Sequence, residues 1–161
     1  MLRVLIVFVG GGTGACLRAL LLAGLASWGA TSPVLLANLL GSFVLGVVFV
    51  LADEAGLLSA HTRLFLAVGI LGGFTTFSTF GWGADLLVAH GHGDAAFQYL
   101  VASVGGGVAA VIVGLMAGRE LAGALERGAV TVLSQLEEHG SRRTRGSRTD
   151  MDSIEAEDRE A

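Results

Sequence analysis

The feature that decides the fold is the stretch GILGGFTTFSTF at residues 69–80, which lies inside a long apolar run. That run, residues 64–88, has no charged residue between Arg63 and Asp85. Adjacent glycines followed by β-branched threonines weaken helix propensity. An interruption at membrane depth is tolerated only where the freed backbone groups find partners or line a polar cavity. We therefore expect a broken, functional membrane helix here, with glycine-rich helix packing as the alternative.

The composition indicates a membrane protein of single-domain length. Hydrophobic residues make up 53% of the 161 residues, and charged residues only 15%. That balance is typical of chains that cross a bilayer several times. Most of the charge follows Arg119, and every basic residue other than histidine is an arginine. The lone cysteine, Cys16, excludes an intrachain disulfide.

Four apolar runs are each long enough to cross a bilayer, which requires about 20 residues. They lie at about 4–25, 33–52, 64–88 and 96–118. The sequence thus predicts an all-α membrane protein with a four-span channel domain at 1–118. Apolar residues at helical spacing predict a short amphipathic extension at 119–138. The charged segment at 139–161 is predicted to be a disordered tail.

Two spans carry a polar residue that needs an explanation. Arg18 follows a cluster of small residues that includes Gly10 and Gly14, whose spacing lets another helix approach closely. The residues leave two roles open for Arg18: a snorkelling anchor, or an arginine that lines a vestibule and attracts anions. Asn38 is the strongly polar residue of the second span, and we expect it to face protein or a pore, with interhelical hydrogen bonding as the alternative.

The polar groups in the middle of the spans are neutral hydrogen-bond donors. No acidic residue lies mid-span, which disfavours proton coupling. Donors without acidic neighbours suit an anion. Phe77 and Phe80 are three residues apart and share a face on a helix, so their electropositive ring edges suit a small anion. Packing against lipid or other helices is the alternative for these rings.

Three segments resemble the Fluc (CrcB) family of small bacterial fluoride channels. They are GGGTGACLR at 10–18, NLLGSF at 38–43 and GGFTTFSTF at 72–80, similar to the family patterns GGxxGAxxR, NxxGSF and GGxTTFSTF. Tyr99 and Ser103 fit the pattern of the fourth span. The resemblance covers residues 4–118. It departs at Ala19, where the family often has Tyr, and at residues 81–83, near which it often has Glu.

The resemblance implies a dual-topology homodimer, or a pair with a paralogous chain, whose two antiparallel subunits enclose two narrow pores. Four spans place both termini on one side, and the near-balanced charge of residues 1–118 fits insertion in either direction. Fluoride then leaves the cell passively, down its electrochemical gradient, across the plasma membrane of a bacterium. Lipid surrounds the assembly, and no nucleic-acid partner is expected.

The resemblance also implies roles for individual residues. A structural Na+ at the dimer interface is held by the backbone carbonyls of Gly72 and Thr75 from both subunits; an interruption that exposes carbonyls suits a hard cation. Arg18 tunes the vestibule. The residues expected to line the anion pathway are Asn38, Phe77, Phe80, Ser78, Thr79, Tyr99 and Ser103.

The chain is not expected to be an enzyme, because it has no motif for hydrolysis, phosphate binding or redox chemistry. Two rival functions come from the class of small dual-topology exporters. One is proton-coupled fluoride export, and the other is antiport of cationic drugs, which would require a mid-span carboxylate. A non-conducting assembly protein held by small-residue seams is the third alternative.

Overall fold

The computed structural model describes the side chains of residues 1–135 and the backbone of residues 1–160. Its described part is all-helical, and it divides into two compact units, Met1–Ala122 and Gly123–Ala161. The α-helices are α1 (Leu2–Gly24), α2 (Ser32–Phe49), α3 (Ala60–Arg63), α4 (Gly72–Phe74), α5 (Phe77–Ala89) and α6 (Gly93–Glu160). A 3-10 turn at Ala26–Trp28 follows α1, while π-helical segments at Val50–Glu54 and Leu64–Leu71 follow α2 and α3.

Within the described residues, four stretches are long and apolar enough to cross a membrane. We call them the first to fourth spans: Leu2–Gly24, Ser32–Glu54, Ala60–Ala89 and Gly93–Gln135. The first, at 23 residues, is about 34 Å long, which matches a hydrocarbon core of about 30 Å. The prediction of an all-helical chain with four spans is confirmed, and the first three predicted ranges differ from these by a few residues at each end.

The interior of the first unit depends on glycine contacts more than on large side chains. Only Val34 and Val50 are large side chains that are fully buried among the described residues. A Cβ on Gly10 would lie 2.9 Å from the Cα of Gly69, and a Cβ on Gly14 would overlap the carbonyl oxygen of Ile70. The small residues of α1 therefore let its backbone lie directly against the third span, as their spacing predicts.

The second and fourth spans pack in the same manner. A Cβ on Gly118 would lie 2.9 Å from the Cβ of Val50, and one on Gly46 would overlap the carbonyl oxygen of Val111. Large apolar side chains are correspondingly displaced to the outer surface, where Phe8 is 76% exposed and Val104 61%. Such a surface suits a lipid environment, in which exposed apolar groups carry no hydration cost.

Two ion pairs hold the end of the second span to its neighbours. Asp53 accepts a 2.8 Å hydrogen bond from Nε of Arg63, at the start of the third span. Glu54 accepts two bonds of 2.9 Å from Arg119, on the fourth span. All four side chains are substantially exposed, so each pair contributes little to stability by itself. They link the end of the second span to the start of the third span and to the fourth span.

The membrane span predicted at 96–118 lies inside α6, which continues as one helix past residue 118, so the point at which the chain leaves the membrane stays a prediction. The helix continues through the predicted extension, since Ala, Leu, Glu and Arg favour helix and no proline follows Gly118. Within the second unit, Leu125, Val130, Val132 and Leu133 are exposed. The amphipathic character of 119–138 and the disorder of 139–161 stay predictions, since residues 136–161 lie outside those whose side chains are described.

Candidate functional site

Two residues with extended backbone, Thr75 and Thr76, separate α4 from α5. Thr75 has φ −78° and ψ 155°, and Thr76 has φ −151° and ψ 121°. The chain leaves the helical conformation directly after two glycines and a phenylalanine, and the β-branched threonines favour the extended region. Thr76 then begins the next helix as its N-cap, because its hydroxyl accepts a hydrogen bond from the Thr79 N–H at 3.3 Å.

Asn38 satisfies both backbone polar groups of Thr76. Its Oδ1 accepts a hydrogen bond from the Thr76 N–H at 2.8 Å, and its Nδ2 donates to the Thr76 carbonyl at 3.1 Å. Extended backbone inside an apolar protein leaves donors and acceptors without helical partners, and the amide of Asn38 replaces those partners. The structure therefore places Asn38 against protein, with one of its two Nδ2 hydrogens left for another acceptor.

Arg18 donates a hydrogen bond to the carbonyl of Thr75, the other extended residue. Its Nη1 donates to the Thr75 carbonyl at 3.2 Å, and its side chain is half-buried. Thr75 itself turns back to the preceding helix, since its N–H and its hydroxyl both donate to the Leu71 carbonyl, at 3.0 and 2.9 Å. Arg18 thus contacts the third span and brings a positive charge to the extended pair.

Thr76 also joins two hydroxyls of α5. Its Oγ1 lies 3.2 Å from Oγ of Ser78 and 3.1 Å from Oγ1 of Thr79. Thr76 is buried, Thr79 is half-buried and Ser78 is exposed. Thr76 is absent from the residues that the sequence assigns to the pathway, although a threonine directly before an apolar helix is a typical N-cap and is the signal that identifies it.

The aromatic residues form a short row beside these hydroxyls. The ring centroids of Phe77 and Phe80 are 5.4 Å apart, and those of Phe80 and Tyr99 are 5.3 Å apart, with tilted planes in both pairs. Phe80 is 5% exposed and Tyr99 7%, whereas Phe77 is 82% exposed. Phe80 therefore belongs to the core, where it packs with Val34, and Phe77 presents its ring at the surface of the single chain.

Two hydroxyls on the fourth span lack a hydrogen-bond partner among the residues whose side chains are described. Both Oη of Tyr99 and Oγ of Ser103 are buried, and neither contacts a donor or acceptor among the described residues. A buried polar group without a partner costs about 1–3 kcal/mol, so such groups usually mark a functional site or a bound ion or water. Tyr99 lies beside Phe80, so one of these hydroxyls adjoins the aromatic row.

A cavity of about 310 Å³ lies where the second and third spans meet at the extended pair. It is lined by Asn38, Gly41, Ser42, Leu45, Ala67, Leu71, Gly72, Thr75, Thr76 and Phe77. Four of the predicted site residues therefore line one cavity: Asn38, Gly72, Thr75 and Phe77. The other predicted residues lie outside its lining. Ser42, which the sequence did not single out as a site residue, adds a hydroxyl. No acidic side chain lines the cavity.

The carbonyls of Gly72 and Thr75 are the expected ligands of a hard monovalent cation, and each has a lone pair to offer. The Thr76 N–H donates to Asn38, so the Gly72 carbonyl lacks the i+4 donor of a continuous helix. The Thr75 carbonyl accepts one bond from Arg18, and a carbonyl oxygen has a second lone pair. The described residues contain no cluster of three or more His, Cys, Asp or Glu side chains, so a cation here depends on backbone oxygens.

Comparison with known proteins matches most of the chain to one family. The family model described as "CrcB-like protein, Camphor Resistance (CrcB)" matches residues 5–115. A "Fluoride-specific ion channel FluC" of Roseiflexus sp. (strain RS-1) is 39% identical over 123 residues, which cover 74% of this chain and 99% of that protein. Another of that name, from Granulibacter bethesdensis, is 44% identical over 119 residues, covering 71% and 93%. "Fluoride-specific ion channel FluC 2" of Nocardia farcinica is 38% identical over 129 residues, covering 76% and 89%.

Proposed function

This chain belongs to the CrcB family, and from that premise we propose that it is a passive, selective fluoride channel. The resemblance drawn from the three motifs is confirmed, and the four spans make the chain a multi-pass membrane protein. The family is one of ion channels and not of enzymes. The relatives named as fluoride-specific channels are matched over nearly their whole length, which supports the same substrate for this chain.

The observation that carries the proposal is the convergence of neutral donors on the extended pair. Asn38 retains one amide hydrogen, and the Ser42 hydroxyl shares its cavity. Thr76, also in the lining, adjoins the hydroxyls of Ser78 and Thr79. Arg18 places a positive charge next to the extended pair, because its guanidinium donates to the Thr75 carbonyl. An anion stripped of water is stabilised by such donors, whereas transport of a cationic drug or of protons requires a carboxylate, which the cavity lining lacks.

We assign the anion pathway to the residues that continue from this cavity along α5 and the fourth span. Asn38 donates to the anion first, and the ring edges of Phe77 and Phe80 offer weak positive potential. The pathway then follows hydroxyls: Ser78, Thr79, Tyr99 and Ser103. The unpartnered hydroxyls of Tyr99 and Ser103 support this assignment, because a passing anion would supply the acceptor that they lack. Selectivity over chloride would come from narrowness and closely spaced donors.

The channel is proposed to be a homodimer of two antiparallel subunits with two pores. Phe77 is 82% exposed although it adjoins the cavity, so a second subunit is needed to enclose the pathway. A paralogous chain could take the place of the second identical subunit and enclose the pathway in the same way. The balance of three arginines against four acids over residues 1–118 suits insertion in both orientations: Arg3, Arg18, Arg63, Asp53, Glu54, Asp85 and Asp94. The membrane is proposed to be a bacterial plasma membrane, and the direction of flux is outward, down the gradient of accumulated fluoride.

A structural Na+ is proposed at the dimer interface. The carbonyls of Gly72 and Thr75 from both subunits would hold it, and it would add positive potential near both pores. Gly72 is exposed on the single chain, and a Cβ there would meet only the Ala67 carbonyl oxygen, at 4.0 Å, which leaves room for a symmetric partner. We expect protein purified without Na+ to show lower fluoride flux and weaker dimerisation than protein purified with it.

The proposal is tested by fluoride efflux from liposomes that contain the purified chain. Vesicles are loaded with potassium fluoride, valinomycin is added to release the counter-charge, and a fluoride electrode records the efflux. We expect rapid fluoride loss that requires valinomycin and needs no pH gradient. Vesicles loaded with potassium chloride should show no chloride efflux when a chloride electrode is used. Lack of fluoride efflux would refute the channel. If the rate of fluoride efflux does not depend on valinomycin but does depend on a pH gradient, the alternative function, a proton-coupled exporter, is favoured instead.

A further inference from the structure

Thr76 occupies the centre of a hydroxyl network whose hydrogens can be counted. Each of the hydroxyls of Thr76, Ser78 and Thr79 has one hydrogen to donate and two lone pairs to accept. One lone pair of Thr76 Oγ1 is used by the Thr79 N–H, at 3.3 Å. Thr76 is left with one hydrogen and one lone pair for its two hydroxyl neighbours, at 3.2 and 3.1 Å.

It follows that one neighbour donates to Thr76 and the other accepts from it. If Thr79 donates, Thr76 donates to Ser78, and the Ser78 hydrogen is free. If Ser78 donates, Thr76 donates to Thr79, and the Thr79 hydrogen is free. Two of the three hydroxyl hydrogens are used inside the network in either case. The network therefore offers a single O–H donor at a time, and rotation of the Thr76 hydroxyl decides which residue carries it.

The surroundings of Thr76 restrict its motion to that rotation. Its backbone N–H and carbonyl are both bound by Asn38, at 2.8 and 3.1 Å, and its side chain is only 7% exposed. Rotation of a hydroxyl about a single bond needs no backbone movement and takes picoseconds to nanoseconds. The two arrangements contain the same number of hydrogen bonds, so they are close in energy and exchange readily.

We propose that Thr76 is a positioning residue that passes an anion between Ser78 and Thr79 by turning its hydroxyl. This proposal rests on the proposed function, and it adds Thr76 to the pathway. An anion bound to the free hydrogen of Ser78 is released when the Thr76 hydroxyl turns, because Ser78 then donates to Thr76 and Thr79 becomes the donor. Only one hydroxyl of the pair can hold the anion at a time, which keeps its binding weak enough for rapid transit.

The test compares three substitutions of Thr76 in the liposome assay, measuring maximal fluoride flux and the half-saturating fluoride concentration. Thr76→Ser keeps the hydroxyl and should conduct within about twofold of wild type, since the hydrogen-bond count is unchanged. Thr76→Val keeps the shape and removes the hydroxyl. We expect its maximal flux to fall about tenfold, the factor that one lost hydrogen bond of ordinary strength represents.

Thr76→Asn separates the relay from simple helix capping. Asparagine is an equally good N-cap, so a purely structural role predicts wild-type flux for this variant. Its amide can donate to Ser78 and Thr79 together, which frees both of their hydrogens at once. We expect tighter fluoride binding and slower release, seen as a lower half-saturating concentration together with a maximal flux reduced by about tenfold, again one hydrogen bond's worth.

A matched control lies directly before the same span. Ser59 is also an N-cap, accepting from the Thr62 N–H at 3.1 Å and contacting the Thr62 hydroxyl at 2.8 Å, but it is exposed and does not line the cavity. Ser59→Ala should leave both flux parameters unchanged. If wild type conducts and Thr76→Asn matches it in both parameters, the relay is refuted while the channel stands. If wild type does not conduct, the proposed function itself fails. If Thr76→Val does not assemble, the flux parameters of Thr76→Ser and Thr76→Asn still show whether the relay operates.

Discussion

Asn38 and Thr76 lie 38 residues apart and are joined by a reciprocal pair of hydrogen bonds, of 2.8 and 3.1 Å. The pair resembles one rung of a β-ladder, with a side-chain amide in the place of the second strand. It fixes an extended residue between two helices, where a backbone without partners would be costly. The bond to the Thr76 carbonyl and the proposed donation to an anion therefore depend on the same amide nitrogen of Asn38.

We predict that Asn38→Asp abolishes fluoride flux while the dimer still assembles. The carboxylate would keep the bond from the Thr76 N–H, but it would lose the donor and place a negative charge beside the pathway. Two like charges 4 Å apart repel by about 4 kcal/mol at an effective dielectric constant of 20, roughly a thousandfold in rate. Liposome efflux measures the flux, and size-exclusion chromatography measures assembly. Gln98→Glu, at an exposed position of α6, is the control, and unchanged efflux from Asn38→Asp would remove Asn38 from the pore.

We predict that Phe80→Ile blocks conduction. The substitution keeps an apolar side chain in the core but removes the ring edge and two tilted aromatic pairs, each contributing about 1 kcal/mol. The expected result is loss of fluoride efflux with a modest fall in the thermal unfolding midpoint. Phe97→Ile, at a position 67% exposed, makes the same change away from the aromatic row and should conduct normally. Persistent flux in Phe80→Ile would show that packing alone explains this position.

The four spans could be predicted from the sequence because hydrophobic runs of bilayer length need no tertiary information. The length of α6 could not be read from its apolar run alone, because the residues after Gly118 favour helix as strongly as those before it. Periodicity places Phe77 and Phe80 on one face, yet one is 82% and the other 5% exposed. The difference arises because Phe77 is the first residue after the extended pair, where it stands clear of the neighbouring helices.

Asn38 and Arg18 could be identified from the sequence as polar anomalies, but their partners could not. A polar residue in an apolar run indicates only that some partner exists, and the carbonyls of Thr75 and Thr76 are backbone groups that every residue has. Thr76 was missed for the related reason that its importance comes from contacts in the fold. The dimer, the Na+ and the depth of the extended pair in a membrane stay predictions.

We predict that Tyr99→Phe lowers fluoride flux without destabilising the protein. The Tyr99 hydroxyl is buried and has no hydrogen-bond partner among the described residues, so its removal breaks no bond of the fold. Loss of one anion donor should reduce flux by about tenfold, while removal of an unsatisfied buried group leaves stability unchanged or raises it slightly. Efflux and thermal unfolding are measured on the same preparation. A large fall in the unfolding midpoint would show that Tyr99 has a structural partner instead.

We predict that Gly14→Ala disrupts the contact between the first and third spans. The added Cβ would overlap the backbone carbonyl oxygen of Ile70, which cannot move without displacing the segment that leads to the extended pair. Overpacking of this kind costs about 1–3 kcal/mol, or more where the obstacle is backbone. Both the thermal unfolding midpoint and the fluoride flux should therefore fall. Gly12→Ala is the matched control in the same helix, because a Cβ there meets nothing within 4 Å and alanine favours helix over glycine. Equal stability of the two variants would show that the close approach of α1 is not what positions Thr75 and Thr76.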